Sequence, residues 1–179
     1  MLYLAHMKIL QYTLLLLIAV GFLTYKHEVK AKPATETTVL ETTPPDTTQR
    51  FNIIQFAKQH MGIRYSYAQS SPKNGFDCSG FVNYVYKHFD ISVPRSSSGF
   101  KNLGKALKPS EFKVGDVLVF YGYRDKHSIG HVGIVCEANG MKSKFIHASS
   151  GKEMAVTVSE LGSSQYTKRF YKCIDPLSL

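Results

Sequence analysis

The stretch NGFDCSGFVNYVY, residues 74–86, decides how the rest of the chain is read. Phe81, Val82, Val85, Tyr86 and then Phe89 recur at helical spacing and share one face. Asn74 and Gly75 mark a turn, and Asp77 stands where an N-cap belongs, so Cys78 becomes the first helical residue. Three roles are open to that cysteine: a small buried residue at a helix start, half of a disulfide, or a reactive sulfur. The unpaired N–H groups and positive dipole end of a helix start favour thiolate over thiol, as a nucleophile requires.

Upstream, Thr47 or Thr48 can cap a first helix whose face is marked by Phe51, Ile54, Ala57 and Met61, with Gly62 ending it. IRYSY reads as extended and AQSSPKNG as a loop. The Cys78 helix stops before Pro94. After Gly115 the period changes from helical to alternating. DVLVFY, HVGIVCE, KFIHAS, MAVTVS and RFYKCI read as strands, with an Asn-Gly turn in ANGM between the second and third. His131, Gly133 and Val135 point one way and Val132, Ile134 and Cys136 the other; Phe145 and His147 share a face on the next strand. Helices first and strands afterwards predict an α+β domain, an antiparallel sheet packed on the early helices.

The hairpin can bring His131 and His147 to one sheet face. A single histidine on a strand is most often a satisfied core residue. Two of them downstream of a helix-start cysteine form a Cys–His pair with a third, orienting group. The chemistry needs these types: a thiolate attacks a carbonyl, and an imidazole takes the thiol proton and returns it to the leaving amine. A further polar group fixes that imidazole's tautomer, and donors face the developing oxyanion. A metal site built from Cys78, His131 and His147 is the competing reading of the same residues. His60 and His88, near helix ends, read as solvated or dipole-favoured, and His127 as a loop residue.

The formal net charge is +9. From Pro33 onward, 18 lysines and arginines face 12 acids, leaving +6 on the part beyond the N-terminal segment. These charges are scattered rather than clustered, which argues against a nucleic-acid partner and suits an acidic polymer or a membrane surface. Cys78, Cys136 and Cys173 are an odd set with no CxxC pair, so at least one thiol is free and a zinc ribbon is excluded. A Cys136–Cys173 disulfide is compatible with an oxidising compartment, although the sequence does not set the required Cα separation.

Residues 1–32 combine a basic start, an apolar run around LLLLIAVGFL and then Lys26, Lys30 and Lys32. They read as a secretory signal or an uncleaved anchor of marginal length. Residues 33–48 hold seven threonines and three prolines and read as an extended spacer, with the folded domain at 49–179.

FDCSGFV, VPRSSS, VGDVLVFY, HVGIV and FIHAS follow one another in the order seen in the NlpC family of papain-like cell-wall cysteine peptidases, which the chain resembles from about residue 50 to 174. The resemblance implies a papain-like fold and cleavage of peptidoglycan stem peptides, with the bond joining D-glutamate, through its γ-carboxyl, to a diamino acid as the expected target. It implies Cys78 as nucleophile, His131 as general base and His147 as the group that orients it. Tyr65 and the Cys78 N–H would form the oxyanion hole, and Asp77 and Ser79 would line the substrate site. Arg95 matches the family's Pro-Arg block and reads as a structural anchor. No cofactor or metal is implied. The expected partner is the peptidoglycan stem, with membrane contact only through the N-terminal segment, a monomeric state and an exported, envelope-facing location. A cell-wall amidase, a related acyltransferase and a non-catalytic wall-binding domain are the alternatives. Ala68 and Gln69 stand where the family has two glycines, and GYRDKHSIG and EANGMKSK look longer than usual.

Overall fold

The computed structural model describes residues 45–179, so the N-terminal segment and most of the spacer lie outside the described residues. No helix among the described residues is long and apolar enough to cross a membrane. Helix α1 (Pro45–Lys58) starts inside the stretch read as spacer, ahead of the expected threonine caps. Its inward face is Arg50, Ile53, Ile54 and Ala57, whereas Phe51 and Met61 are 59% and 44% exposed. The inward stripe therefore runs through position 50 and not 51. The cause is a buried guanidinium: Arg50 donates to Asp46 at 2.9 Å, to Asp116 at 2.8 Å and to Asp175 at 2.6 Å, tying α1 to the core and to the C-terminus. Burial alone would pull the Arg50 pKa down, but these three carboxylates outweigh it and raise it. His60 is also buried, not solvated, with Nδ1 2.8 Å from the Phe56 carbonyl oxygen.

A small ribbon of β1 (Ser70–Ser71) and β2 (Gly75–Phe76) delivers the chain to α2 (Cys78–Lys87). Five strands follow: β3 (Val117–Tyr121), β4 (Ile129–Glu137), β5 (Lys144–Ala148), β6 (Val156–Glu160) and β7 (Phe170–Ile174). A four-residue helix, α3 (Ser164–Thr167), precedes the last strand. The sheet order is β6-β5-β4-β3-β7 with every neighbour antiparallel. This is the α+β arrangement expected from the change of period along the chain.

Each sheet face buries its own apolar cluster. Phe81, Val82, Val85 and Tyr86 of α2 pack with Ile53 of α1 on Val117, Val119, Val132, Ile134 and Ile146. Leu118, Phe120, Val135 and Phe145 pack on the opposite face with Leu161 and Tyr166. The alternation along β4 sets this division: Val132 and Ile134 go to the helices, while Val135 goes to the other side. A bulge at the β4–β5 pairing falls between Val135 and Glu137, past both histidines, so their shared face is preserved.

Candidate active site

The local chain builds the cysteine's position from the N-cap outward. Asp77 adopts extended backbone and its carboxylate accepts the Gly80 N–H at 2.6 Å. Arg95 clamps the same carboxylate through two donors, each at 2.9 Å, and reaches the Gln69 carbonyl at 3.2 Å. The Ser79 hydroxyl donates to Asp77 at 3.2 Å. Asp77 and Ser79 thus line the groove beside Cys78, but their polar groups are turned on one another and on Arg95. Gly80 is dictated by this packing: a Cβ there would lie 2.2 Å from the Gln69 carbonyl oxygen. Ala68, where the family has glycine, keeps a left-handed backbone with φ 60°, a conformation costing an L-residue about 1 kcal/mol.

Cys78 is the first residue of α2, so its own N–H has no intrahelical acceptor. Its thiol lies 4.0 Å from the carbonyl oxygen of Gly130, at the opening of β4. The helix start does not make it a resting thiolate. Burial, and then the neighbouring Asp77 charge, push the thiol pKa up, while the N–H groups of Val132, Ser79 and Cys78 itself pull less strongly the other way. Tyr65 borders the same sulfur; burial first, then the charges of Cys78 and Asp77, raise its phenol.

His131 and His147 meet through Nε2 and Nδ1 at 2.8 Å. The register explains the contact. Ile134 pairs with Ile146, so His147 falls opposite Gly133 and diagonal to His131 on the same face. Gly133 is required there: a Cβ would stand 2.5 Å from the Phe145 ring and 3.0 Å from the His147 Cβ. Both imidazoles are kept neutral. His131 is held well below the usual imidazole range by burial, then by repulsion from His147 and Arg169. His147 is lowered to about 3 by burial, then by Arg169. Burial thus favours the uncharged form of both the thiol and the imidazoles.

Two polar partners of His147 carry no sequence signal. Its Nε2 lies 2.9 Å from the Ser159 hydroxyl and 3.5 Å from the Tyr166 hydroxyl. Ser159 sits in an alternating strand where a serine reads as solvent-facing, and Tyr166 in a four-residue helix too short to show a period. The imidazole pair also answers the metal reading. With His131 Nε2 and His147 Nδ1 bonded to each other, their lone pairs do not converge with the sulfur, and no group of three metal-binding side chains occurs among the described residues. Cys136 and Cys173 are both free and lie in the clusters on opposite faces of the sheet, so they do not pair.

Two hollows meet at the site. A groove of about 440 Å³ is lined by Ala68, Asp77, Cys78, Ser79, Arg95 and Ser97. A cleft of about 760 Å³ on the other side is lined by Tyr123, Arg124, His131, Ser150, Tyr166 and Arg169. Tyr65, Tyr67 and Gly130 border both.

A cysteine at a helix start against the opening of β4, with a histidine pair on the antiparallel sheet, belongs to the papain-like fold class. The NlpC/P60 family profile matches residues 62–175, and the chain belongs to this family. It is 37% identical over 117 residues to a γ-DL-glutamyl hydrolase of Bacillus subtilis, covering 65% of this chain and 26% of that protein. It is 38% identical over 117 residues to the murein DD-endopeptidase MepH of Escherichia coli, covering 63% of this chain and 40% of that protein. An NlpC/P60 family protein of Bacillus cereus superposes with a TM-score of 0.63 at 27% identity, covering 72% of this chain and 40% of that one. The chain thus spans less than half the length of these relatives.

Proposed function

We propose that the protein is a peptidoglycan hydrolase, a cysteine endopeptidase that cuts stem peptides between D-glutamate, linked through its γ-carboxyl, and a diamino acid. The observation that carries this reading is the imidazole pair at 2.8 Å beside a cysteine at a helix start. The hydrogen-bond chain fixes the protons. For His131 Nδ1 to accept the thiol proton, Nε2 must carry a hydrogen and donate it to His147 Nδ1. His147 then holds its hydrogen on Nε2 and donates it to the Ser159 hydroxyl oxygen. The thiolate formed attacks the scissile carbonyl, giving an oxyanion that accepts from the Cys78 N–H and the Tyr65 hydroxyl. The tetrahedral intermediate collapses as His131 gives its proton to the leaving amine, and a water deprotonated by His131 then hydrolyses the thioester. Because the partner imidazole is neutral, it orients and accepts but adds no negative charge, so proton transfer runs between neutral groups.

The γ-glutamyl specificity draws support from the Bacillus relative's name, and the Escherichia relative's name favours a second reading, cleavage at a D,D bond. The exported location and monomeric state expected from the sequence belong to the same proposal. Digestion of defined muropeptides by the full chain, with products weighed, separates the two bonds. The wild type should release a fragment beginning with the diamino acid, and Cys78→Ala should release nothing while remaining folded. A Cys78→Ala protein of wild-type turnover would overturn the mechanism.

A further inference from the structure

The cleft beyond His131 carries a charge that the chemistry above does not use. Arg169 is half-buried at its wall, with its guanidinium 5.2 Å over the Tyr166 ring and 5.9 Å from the Tyr123 ring. Among the described residues its hydrogen bonds are long ones to backbone carbonyls, 3.3 Å to Gln165 and 3.4 Å to Tyr121. Arg124, from the loop between β3 and β4, lines the same cleft. Neither arginine makes an ion pair among the described residues, and no aspartate or glutamate among them lines the cleft. Arg50, by contrast, is shared by three carboxylates, and Arg95 is paired with Asp77. A guanidinium held between aromatic rings, with donors left over and no ion-pair partner among the described residues, is built to receive a planar anion; the acid at the rim, Glu153, is engaged by Ser149 at 3.2 Å.

The cleft's position says which part of the substrate brings that anion. The scissile carbonyl must lie over the Cys78 sulfur, which faces the smaller groove, and the departing nitrogen over His131, which faces the larger cleft. The arginines are therefore on the leaving-group side. We infer that Arg169 and Arg124 form a subsite for a free carboxylate on the leaving fragment, and that the protein selects stems whose released portion is not amidated. This inference rests on the stem-peptide reading of the function. The carboxylate has two sources of the same chemistry: the side-chain carboxyl of a diaminopimelate-type residue, or the C-terminal carboxyl of the fragment.

Four synthetic stems test it with the full chain: the free acid, the side-chain amide, the C-terminal amide and the double amide. For wild type, kcat/KM should fall about 10- to 100-fold on amidating the position that is recognised, the loss expected for one charge-assisted contact. Whichever single amide shows the fall identifies the source. Arg169→Gln and Arg124→Gln should each lower the acid-to-amide ratio towards one, and Arg169→Lys should keep only part of it, since an ammonium supplies the charge without the planar fork. An acid-to-amide ratio near one in wild type, or a ratio unchanged in Arg169→Gln while both rates fall together, would overturn the inference and mark Arg169 as structural. Cleavage of none of the four peptides by wild type would instead overturn the functional reading beneath it.

Discussion

Acidification tests the buried imidazole pair without any substrate. His147 is shut away from solvent, and burial followed by Arg169 lowers its pKa from 6.5 to about 3. The folded value lies below the unfolded one, so the unfolded chain binds the extra proton first. The stability His147 contributes is complete above its unfolded pKa and drains away as pH falls from about 6.5 towards 3. At 1.36 kcal/mol per unit the whole span amounts to about 5 kcal/mol, of which about 2 kcal/mol is gone by about pH 5. His147→Asn keeps a hydrogen-bonding group at the site but cannot titrate. Urea unfolding of both proteins between about pH 7.5 and pH 5 should show the wild type losing about 2 kcal/mol more than the variant. The other ionisable groups are the same in both proteins, so the difference reports on His147 together with its coupling to His131. Parallel stability losses in the two proteins would mean that the imidazole is not held neutral by the fold, and the proton assignment for the whole chain of hydrogen bonds would fail with it.

The two histidines should also differ in catalysis. On the proposed mechanism only His131 transfers the proton, so His131→Asn should abolish turnover and His147→Asn should keep a measurable fraction; in steady-state kinetics, equal losses would remove the assigned roles and the reverse order would exchange them. Gly133→Ala should cost about 1–3 kcal/mol of stability and a larger share of activity, since the added methyl meets a Cβ and a packed ring rather than a flexible side-chain end. Thermal unfolding beside kcat/KM checks it, and a Gly133→Ala protein with wild-type values of both would show that strand spacing does not set the imidazole contact.

What could be read from the chain was whatever has a short period or a local cause. The Asp77 cap, the Cys78 helix and the five strands follow from neighbours within a few residues, and alternation alone placed His131 and His147 on one face. Arg50 was not legible, because its partners Asp116 and Asp175 are distant in sequence and a buried guanidinium overrode the apolar stripe that Phe51 suggested. Ser159 and Tyr166 were hidden for the same reason: a serine on a polar strand and a tyrosine in one helical turn look ordinary until the fold sets them against His147. The burial that opposes the thiolate favoured by the helix start is a quantity that no local pattern carries.

The scatter of the three thiols has a consequence for damage. Cys136 lies five residues along β4 from His131, on the helix-packed side, and Cys173 lies beneath the sheet on the other. Neither stands near Cys78. An oxidant that converts Cys78 to a sulfenic acid meets no paired cysteine among the described residues, so reversal of the lesion falls to an outside thiol. Its first defence is burial, which raises the thiol pKa and so slows the attack that an exposed thiolate would invite.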